Sequence, residues 1–216
     1  MDPVNADHEF LLHHSAVEAA PRLLGAILRR ESADGTVAVR LTEVEAYLGA
    51  HDSPHPDPGS HGFKGKTERN AVMFGPAGFM YVYFTYGMHY CANIVCGTAG
   101  TSTGVLMRAG EIVEGQDLAF ARRHAAKNER ELAKGPARLT QALGIDRKYN
   151  GTEVFQPPVT LRLADHPPSP QHMSTGPRVG VSGPGGGHAY PWRFWLSGNK
   201  TVSVYRAAKP RQPPVL

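Results

Sequence analysis

The chain has 216 residues, among them 23 lysines or arginines and 19 aspartates or glutamates, which give a formal net charge of +4. A chain of this length can bury one sizeable core and requires no division, so we expect a single domain over residues 1–216. The two cysteines, Cys91 and Cys96, exclude a disulfide framework, and no apolar run approaches the roughly 18 residues of a membrane span. Because the N-terminus also lacks the features of a secretion signal, we expect a cytoplasmic protein with buried, reduced thiols.

The first part of the chain predicts a helix and then a strand. Apolar residues recur at helical spacing over residues 15–29, with Ser15 placed to cap the first turn, which predicts one helix or two short helical pieces. The β-branched run over residues 37–44 predicts a strand. Side chains alternate along a strand, so Glu43 and Glu45 should point to the same face.

A long loop and an aromatic hairpin follow. The density of Gly, Pro, Asp and Ser over residues 49–78 predicts a surface loop, and long ordered loops are often functional. Residues 79–95 alternate in a way that predicts a strand with Tyr81 and Tyr83 on one face. Tyr86 and Gly87 predict a turn, which would leave Tyr86 at an exposed tip.

The second half predicts a further strand, two helices and several short strands. Residues 104–112 predict a strand, and residues 114–134 predict a charged amphipathic helix. The basic residues on the solvated face of that helix would be Arg122, Arg123, Lys127 and Arg130. Residues 135–145 predict a helix with Pro136 in its first turn and Gly144 at its end, whose N-terminus can receive a phosphate. Short strands are expected at 159–163, 178–182, 194–196 and 201–204, and flexible tails at 1–8 and 209–216.

The residues that carry chemistry concentrate between positions 42 and 108. This stretch holds carboxylates on a strand, then a loop with basic side chains, then a run in which four of the eight tyrosines lie within ten residues, and finally Arg108. Flat aromatic faces, a carboxylate and nearby positive charge suit a nucleobase that is held beside a phosphate backbone. The stretch therefore predicts a site for chemistry on nucleic acid.

Ordered motifs in this stretch and beyond it resemble the alkyladenine (3-methyladenine) DNA glycosylase family. They lie at residues 41–47, 67–74, 81–93, 105–108, 135–145 and 178–181, so the resemblance covers nearly the whole chain. It implies an α+β single domain built on a curved, mostly antiparallel sheet with surrounding helices. It also implies excision of alkylated or deaminated purines, of the 3-methyladenine and hypoxanthine class, from double-stranded DNA. We accordingly expect a monomer without cofactor, metal or obligate protein partner, located with the nucleoid if the source is bacterial.

The resemblance assigns the chemical step to two residues. Glu45 matches the family's catalytic carboxylate, which would take the proton from an attacking water and stabilise the positive charge on the sugar. Arg108 matches the partner that would hold both the carboxylate and the water. Without the surrounding motifs, the same pair would be interpreted as a structural ion pair.

The resemblance also implies the walls of a base pocket. Tyr47 and Tyr83 match stacking residues, which suit a positively charged alkylated purine, and Asn93 matches a residue that conflicts with the exocyclic amine of guanine. A loop histidine would form the third wall. His61, in Asp57-Pro58-Gly59-Ser60-His61, fits the family pattern best, and His55 is the second choice. The loop departs from the family pattern because it also contains His51 and is longer than usual. The family pattern therefore does not define the shape of this part of the pocket.

Other residues match contacts with the rest of the DNA. Tyr86 matches the side chain that enters the minor groove and fills the gap left by the flipped nucleotide. Backbone contacts are expected from Lys64, Lys66, Arg69 and Met88, together with the helix that starts at residue 135.

Two other classes of function stay open at this point. A non-catalytic nucleic-acid-binding module would use the same aromatic and basic residues, although it would not need Glu45 opposite Arg108. A zinc-dependent nucleobase deaminase would use histidines and cysteines. It requires His-x-Glu and Pro-Cys-x-x-Cys, however, whereas Cys91 and Cys96 are separated by four residues and neither follows a proline.

Overall fold

The computed structural model describes residues 3–85 and 87–208. In these residues the helices are α1 (Pro3–His13), α2 (Ala16–Leu23), α3 (Gln116–Arg122) and α4 (Pro136–Leu143). The strands are β1 (Ile27–Ser32), β2 (Gly35–Tyr47), β3 (Phe79–Thr85), β4 (His89–Ile94), β5 (Gly104–Glu114), β6 (Thr152–Glu153), β7 (Phe155–Gln156), β8 (Val159–Arg162), β9 (Met173–Gly176) and β10 (Arg193–Leu196). Among the described residues, no helix combines the length and apolar character needed to cross a membrane.

These strands form one antiparallel sheet. Its order is β6-β3-β4-β5-β2-β1-β8-β7, with β10 also paired to β2 and β9 paired to β10. The helices pack beside the sheet, and a continuous apolar core lies between the two layers. The prediction of an α+β fold on a curved, mostly antiparallel sheet is confirmed.

Strand β2 is the central element that positions the site. It pairs with β5 along most of its length, while its other edge is shared by β1 over its first half and by β10 opposite Glu43 to Glu45. The register between β2 and β5 shifts around Glu43, which is the irregularity of a β-bulge. Bulges re-aim side chains, and this one lies where Glu43, Glu45 and Arg108 come together.

Helices α2 and α4 follow the local signals in the sequence. Ser15 and Glu18 form a reciprocal capping box at the start of α2, and Ala16, Ala19, Ala20 and Leu23 bury its inner face. Helix α4 begins after Gly135 and ends at Gly144, whose φ of 69° is the left-handed conformation that glycine adopts readily. The prediction for residues 135–145 is confirmed.

Two predicted helices are shorter than expected. The predicted helix over residues 15–29 ends at Leu23, and the apolar residues from Ile27 onward belong to β1, where they pair with β2 and β8. Similarly, α-helix is limited to α3 within residues 114–134, where a single 3₁₀ turn forms at Glu129–Glu131. The prediction of a solvated basic face is wrong for Arg122 and Arg123, because they donate hydrogen bonds to the carbonyls of Leu143 and Leu132 at 3.0 and 3.1 Å.

Three further predictions differ from the structure. Residues 178–182 and 201–204 form no strand, since their polar groups bind side chains of the sheet instead. Residues 3–8, expected in a flexible tail, lie in α1, and the Asp7 carboxylate accepts a hydrogen bond from the Leu163 amide at 3.0 Å. Residues 1–2 and the predicted tail at 209–216 lie outside the described residues.

Candidate active site

A cavity of about 410 Å³ opens between β2, the β3–β4 hairpin, β5 and the long loop. It is lined by six of the predicted site residues, Glu45, Tyr47, His61, Tyr83, Asn93 and Arg108. Residues 179–182 and Pro136, the first residue of α4, complete the wall. A cavity of this size is typical of small-molecule sites.

Glu45 is fully buried, and both of its carboxylate oxygens have partners. The Val179 amide donates to Oε1 at 2.7 Å, while the Tyr47 hydroxyl and Arg108 Nη1 donate to Oε2 at 2.9 and 3.1 Å. These contacts fix the carboxylate at the cavity wall. A carboxylate placed in this way can accept a proton from a molecule bound in the cavity.

Glu43 lies on the same face of β2 and binds the other side of the Arg108 guanidinium. Arg108 Nε and Arg193 Nε donate to Glu43 Oε1 at 2.8 and 2.7 Å, and the Ser203 amide donates to Oε2 at 2.7 Å. Burial works to raise the pKa of Glu43, but Arg108, Arg193 and the Ser203 amide outweigh it and lower that pKa. Glu43 is therefore ionised at neutral pH. The pKa of Arg108 is raised because Glu45 and Glu43 outweigh the burial that opposes its charge.

Aromatic rings form another part of the cavity wall. The rings of Tyr81 and Tyr83 stack with their centroids 5.5 Å apart, as the alternation along β3 predicted, and the His61 ring meets Tyr83 edge-on at 4.6 Å. Burial raises the pKa of Tyr81 to about 12 and raises the pKa values of Tyr83 and Tyr47 as well. These phenols therefore stay neutral and able to donate at physiological pH.

The loop histidine at the cavity is His61, and His55 lies elsewhere. Asn70 fixes the loop, because its side-chain amide donates to the His61 carbonyl at 2.9 Å. Partial desolvation and the positive charge of Arg69 lower the pKa of His61, so its ring is neutral at pH 7. His55 is exposed beside a separate cavity, while His51 Nδ1 lies 3.1 Å from the Phe63 carbonyl.

Arg178 and Asp57 form a buried ion pair beside the site, which local sequence patterns do not predict. Both side chains are fully buried, and two hydrogen bonds of 2.7 Å join them. Asp57 also accepts from the Leu48 and Gly59 amides at 3.0 and 2.9 Å. The Arg178 guanidinium lies over the Tyr47 ring, 4.5 Å from its centroid. The pair thus joins the end of β2, the histidine loop and residues 178–185 behind the cavity.

The space around Gly59 shows how tightly this region is packed. A Cβ at Gly59 would meet Arg178 Nη2 at 2.3 Å, so a larger residue would displace the guanidinium. The sequence gives one indication of this ion pair, which is that Asp57 and Arg178 each lie in a segment that resembles the family. Their pairing across 121 positions is not visible in local patterns.

The side chains predicted to contact the DNA backbone do not line the cavity, whereas Pro136, at the start of α4, does. Lys64, Lys66 and Arg69 are exposed on the loop, and Met88 is 68% exposed after the hairpin turn. Arg69 also donates to the Phe84 carbonyl at 3.2 Å. Tyr86, the predicted wedge, lies outside the described residues.

Within the part of the chain that the structure describes, neither cysteine belongs to a cluster of metal ligands. Cys91 and Cys96 are buried and unbridged, and burial raises the pKa values of both thiols. In residues 3–85 and 87–208, no three His, Cys, Asp or Glu side chains converge in a way that could hold a metal ion. The described residues therefore do not supply the ligand set of a zinc deaminase.

The sequence is similar to a known protein family and to proteins of several bacteria. Residues 9–200 match the family model described as methylpurine-DNA glycosylase (MPG). A protein of Streptomyces avermitilis is 54% identical over 199 residues, which cover 91% of this chain and 90% of that protein. A protein of Leifsonia xyli subsp. xyli is 54% identical over 196 residues, which cover 89% of each chain. A protein of Mycobacterium leprae is 46% identical over 201 residues, which cover 91% of this chain and 87% of that protein. All three bear the name "Putative 3-methyladenine DNA glycosylase".

Proposed function

The chain belongs to the methylpurine-DNA glycosylase family and is a DNA glycosylase, and we propose that it excises alkylated purines of the 3-methyladenine type, together with hypoxanthine, from duplex DNA. The observation that carries this proposal is a buried carboxylate, Glu45, fixed at the wall of an aromatic cavity. As a glycosylase, the protein is an enzyme rather than a passive binding module.

We propose that the reaction is hydrolysis, with Glu45 as the general base. The damaged nucleotide turns out of the duplex so that its purine enters the cavity. Water adds to the anomeric carbon, the bond from that carbon to the purine nitrogen breaks, and the proton of the water passes to Glu45. A purine that carries a positive charge from alkylation leaves as a neutral base, so charge balances. Hypoxanthine, which is neutral in the nucleotide, leaves as an anion and then takes up a proton, so that the proton released by the water is returned to the base. Among the described residues that line the cavity there is no lysine, which supports attack by water rather than by an amine.

The aromatic wall supports a preference for alkylated purines. A cationic base between Tyr47, Tyr83 and His61 gains cation–π attraction of about 1–2 kcal/mol once water is excluded. The lowered pKa of His61 keeps its ring neutral, so it does not repel the cationic base. Asn93 Nδ2 donates to the Tyr81 carbonyl at 3.2 Å, which orients the side chain proposed to exclude guanine.

The proposed activity is tested with duplex oligonucleotides that each carry one hypoxanthine or one alkylated adenine. We expect release of free base from both, leaving an abasic site in a strand that stays intact until it is treated with alkali. Release from the alkylated duplex alone would remove hypoxanthine from the proposal. Cleavage of the untreated strand would contradict simple hydrolysis.

Exposed basic residues should make DNA binding sensitive to salt. Lys64, Lys66 and Arg69 are proposed to contact phosphates, so the logarithm of the binding constant should fall with the logarithm of salt concentration, with a slope of about −0.9 per phosphate contact. Replacing Lys64 and Lys66 with Gln should make the slope shallower by about 1.8. Fluorescence anisotropy with undamaged duplex measures this slope. The matched control is Arg40→Gln, because Arg40 already pairs with Glu111, and a slope that changes equally in both variants would contradict the assignment.

Tyr86 is proposed to stabilise the flipped nucleotide by filling the gap in the duplex. Tyr86→Ala should weaken flipping by about 1–3 kcal/mol of lost stacking. The single-turnover rate should therefore fall more for a paired lesion than for a lesion opposite an abasic gap, where extrusion is easier. Equal losses on the two substrates would mean that Tyr86 is not the wedge.

A further inference from the structure

Glu43 is a buried carboxylate that the proposed reaction leaves without a role. It lies two positions before Glu45 on β2 and is fully buried. Its partners come from three other parts of the fold, namely Arg108 on β5, Arg193 on β10 and Ser203 near the end of the described chain. A buried carboxylate with this many donors is costly to assemble, so its position beside Glu45 invites a functional explanation.

Arg108 is divided between the two carboxylates. Its Nε donates to Glu43 at 2.8 Å, whereas Nη1 donates to Glu45 at 3.1 Å. The bond to Glu43 is thus the shorter one. Glu43 is also bound by Arg193, whose second contact, from Nη2, goes to the Ser203 carbonyl at 2.7 Å.

Charged groups from several elements surround the cluster formed by Glu43, Glu45 and Arg108. Besides Glu43 and Glu45 on β2, they are Arg108, Arg193 and Arg178, and Arg178 is paired with Asp57. The titratable neighbours Tyr47, Tyr83 and Cys91 have raised pKa values and are neutral at physiological pH. The balance between Glu43 and Glu45 therefore depends on how Arg108 and Arg193 are shared.

We propose that Glu43 is a positioning residue for base release, which competes with Glu45 for Arg108 and thereby keeps Glu45 able to accept the proton of water. Without this competition, Arg108 would bind Glu45 alone, and a carboxylate that is fully compensated by a guanidinium is a weaker base. The geometry allows this control because one planar guanidinium contacts both carboxylates at fixed donor atoms. The inference rests on the proposed role of Glu45 as the base.

The test is the pH dependence of the single-turnover rate of base release. In Glu43→Gln, the rate at neutral pH should fall, and the acid limb of the profile should move to lower pH by about one unit, because a nearby negative charge has been removed. Arg193→Gln should move the acid limb to higher pH, since Glu43 then draws Arg108 away from Glu45. Because Glu43 and Glu45 share Arg108, the shift would be a property of the cluster rather than of one residue.

Three controls separate this role from simple support of the fold. Ser203→Ala removes the hydroxyl that donates to Glu43 at 2.8 Å and accepts from Arg108 Nη2 at 3.3 Å, but it changes no charge, so its acid limb should stay at the wild-type pH. Glu43→Asp keeps the charge but withdraws it from Arg108, so its limb should move in the same direction as in Glu43→Gln, but less. Thermal unfolding midpoints identify the variants that fold.

Failure of the proposed mechanism and failure of the role proposed for Glu43 would give different results. If Glu45→Gln releases base at the wild-type rate, Glu45 is not the base and the proposed mechanism fails. If Glu45 is required, yet the acid limb stays at the wild-type pH in every folded variant of Glu43 and Arg193, the role of Glu43 is overturned. Shifts of opposite sign in Glu43→Gln and Arg193→Gln would support it, because loss of structural support has no reason to produce them.

Discussion

Glu45→Gln is expected to reduce the single-turnover rate of base release by about 10²–10⁴-fold, with little change in the affinity for lesion-containing duplex. The amide keeps the shape of the side chain and can still accept a hydrogen bond, but it cannot take the proton from water or carry the charge that stabilises the cationic sugar. Rapid-quench measurement of free base, with binding measured separately by anisotropy, distinguishes the two effects.

The matched control for this substitution is Glu111→Gln. Glu111 also lies in the sheet and pairs with an arginine, Arg40, but both side chains are partly exposed and away from the cavity. Its replacement should leave the rate of base release unchanged. A Glu45→Gln variant that cleaves as fast as the wild type would show that another group activates the water.

Asp57→Asn is expected to lower the free energy of unfolding by about 3–5 kcal/mol, the usual cost of removing one partner from a buried ion pair. The Arg178 guanidinium would remain fully buried, facing an amide that cannot compensate its charge. Because Asp57 also accepts from the Leu48 and Gly59 amides, the loop that carries His61 should loosen as well. Urea unfolding followed by tryptophan fluorescence measures the change.

Asp52→Asn provides the comparison, since Asp52 is an exposed aspartate of the same loop. Substitution at such a surface position should change the free energy of unfolding by less than about 0.5 kcal/mol. If the two variants were equally stable, the Arg178–Asp57 pair would not organise the cavity wall.

Local patterns predicted the parts of the site that lie close together in the chain. Alternation along β2 placed Glu43 and Glu45 on one face, and alternation along β3 placed Tyr81 and Tyr83 together, because side-chain direction in a strand depends only on position. Capping signals likewise marked both ends of α4. The proposed roles of the site residues came from the family resemblance.

The remaining parts depend on contacts between distant residues. Local patterns predict a strand at Arg178 and a solvated helix face at Arg123. They cannot show that either arginine has a buried hydrogen-bond acceptor, because the acceptor lies elsewhere in the chain. Asp57 lies 121 positions from Arg178, and Ser203 lies 160 positions from Glu43. Pairings of this kind are decided by tertiary packing, which overrides local propensity.

A crystal structure of the Glu45→Gln variant bound to a duplex with one hypoxanthine would show whether this cavity holds the damaged base during its release. The purine is expected outside the duplex, between Tyr47, Tyr83 and His61, with the anomeric carbon of its sugar facing position 45 and Arg108. A purine that stays stacked in the duplex, or that binds elsewhere on the protein while the cavity is empty, would contradict this expectation.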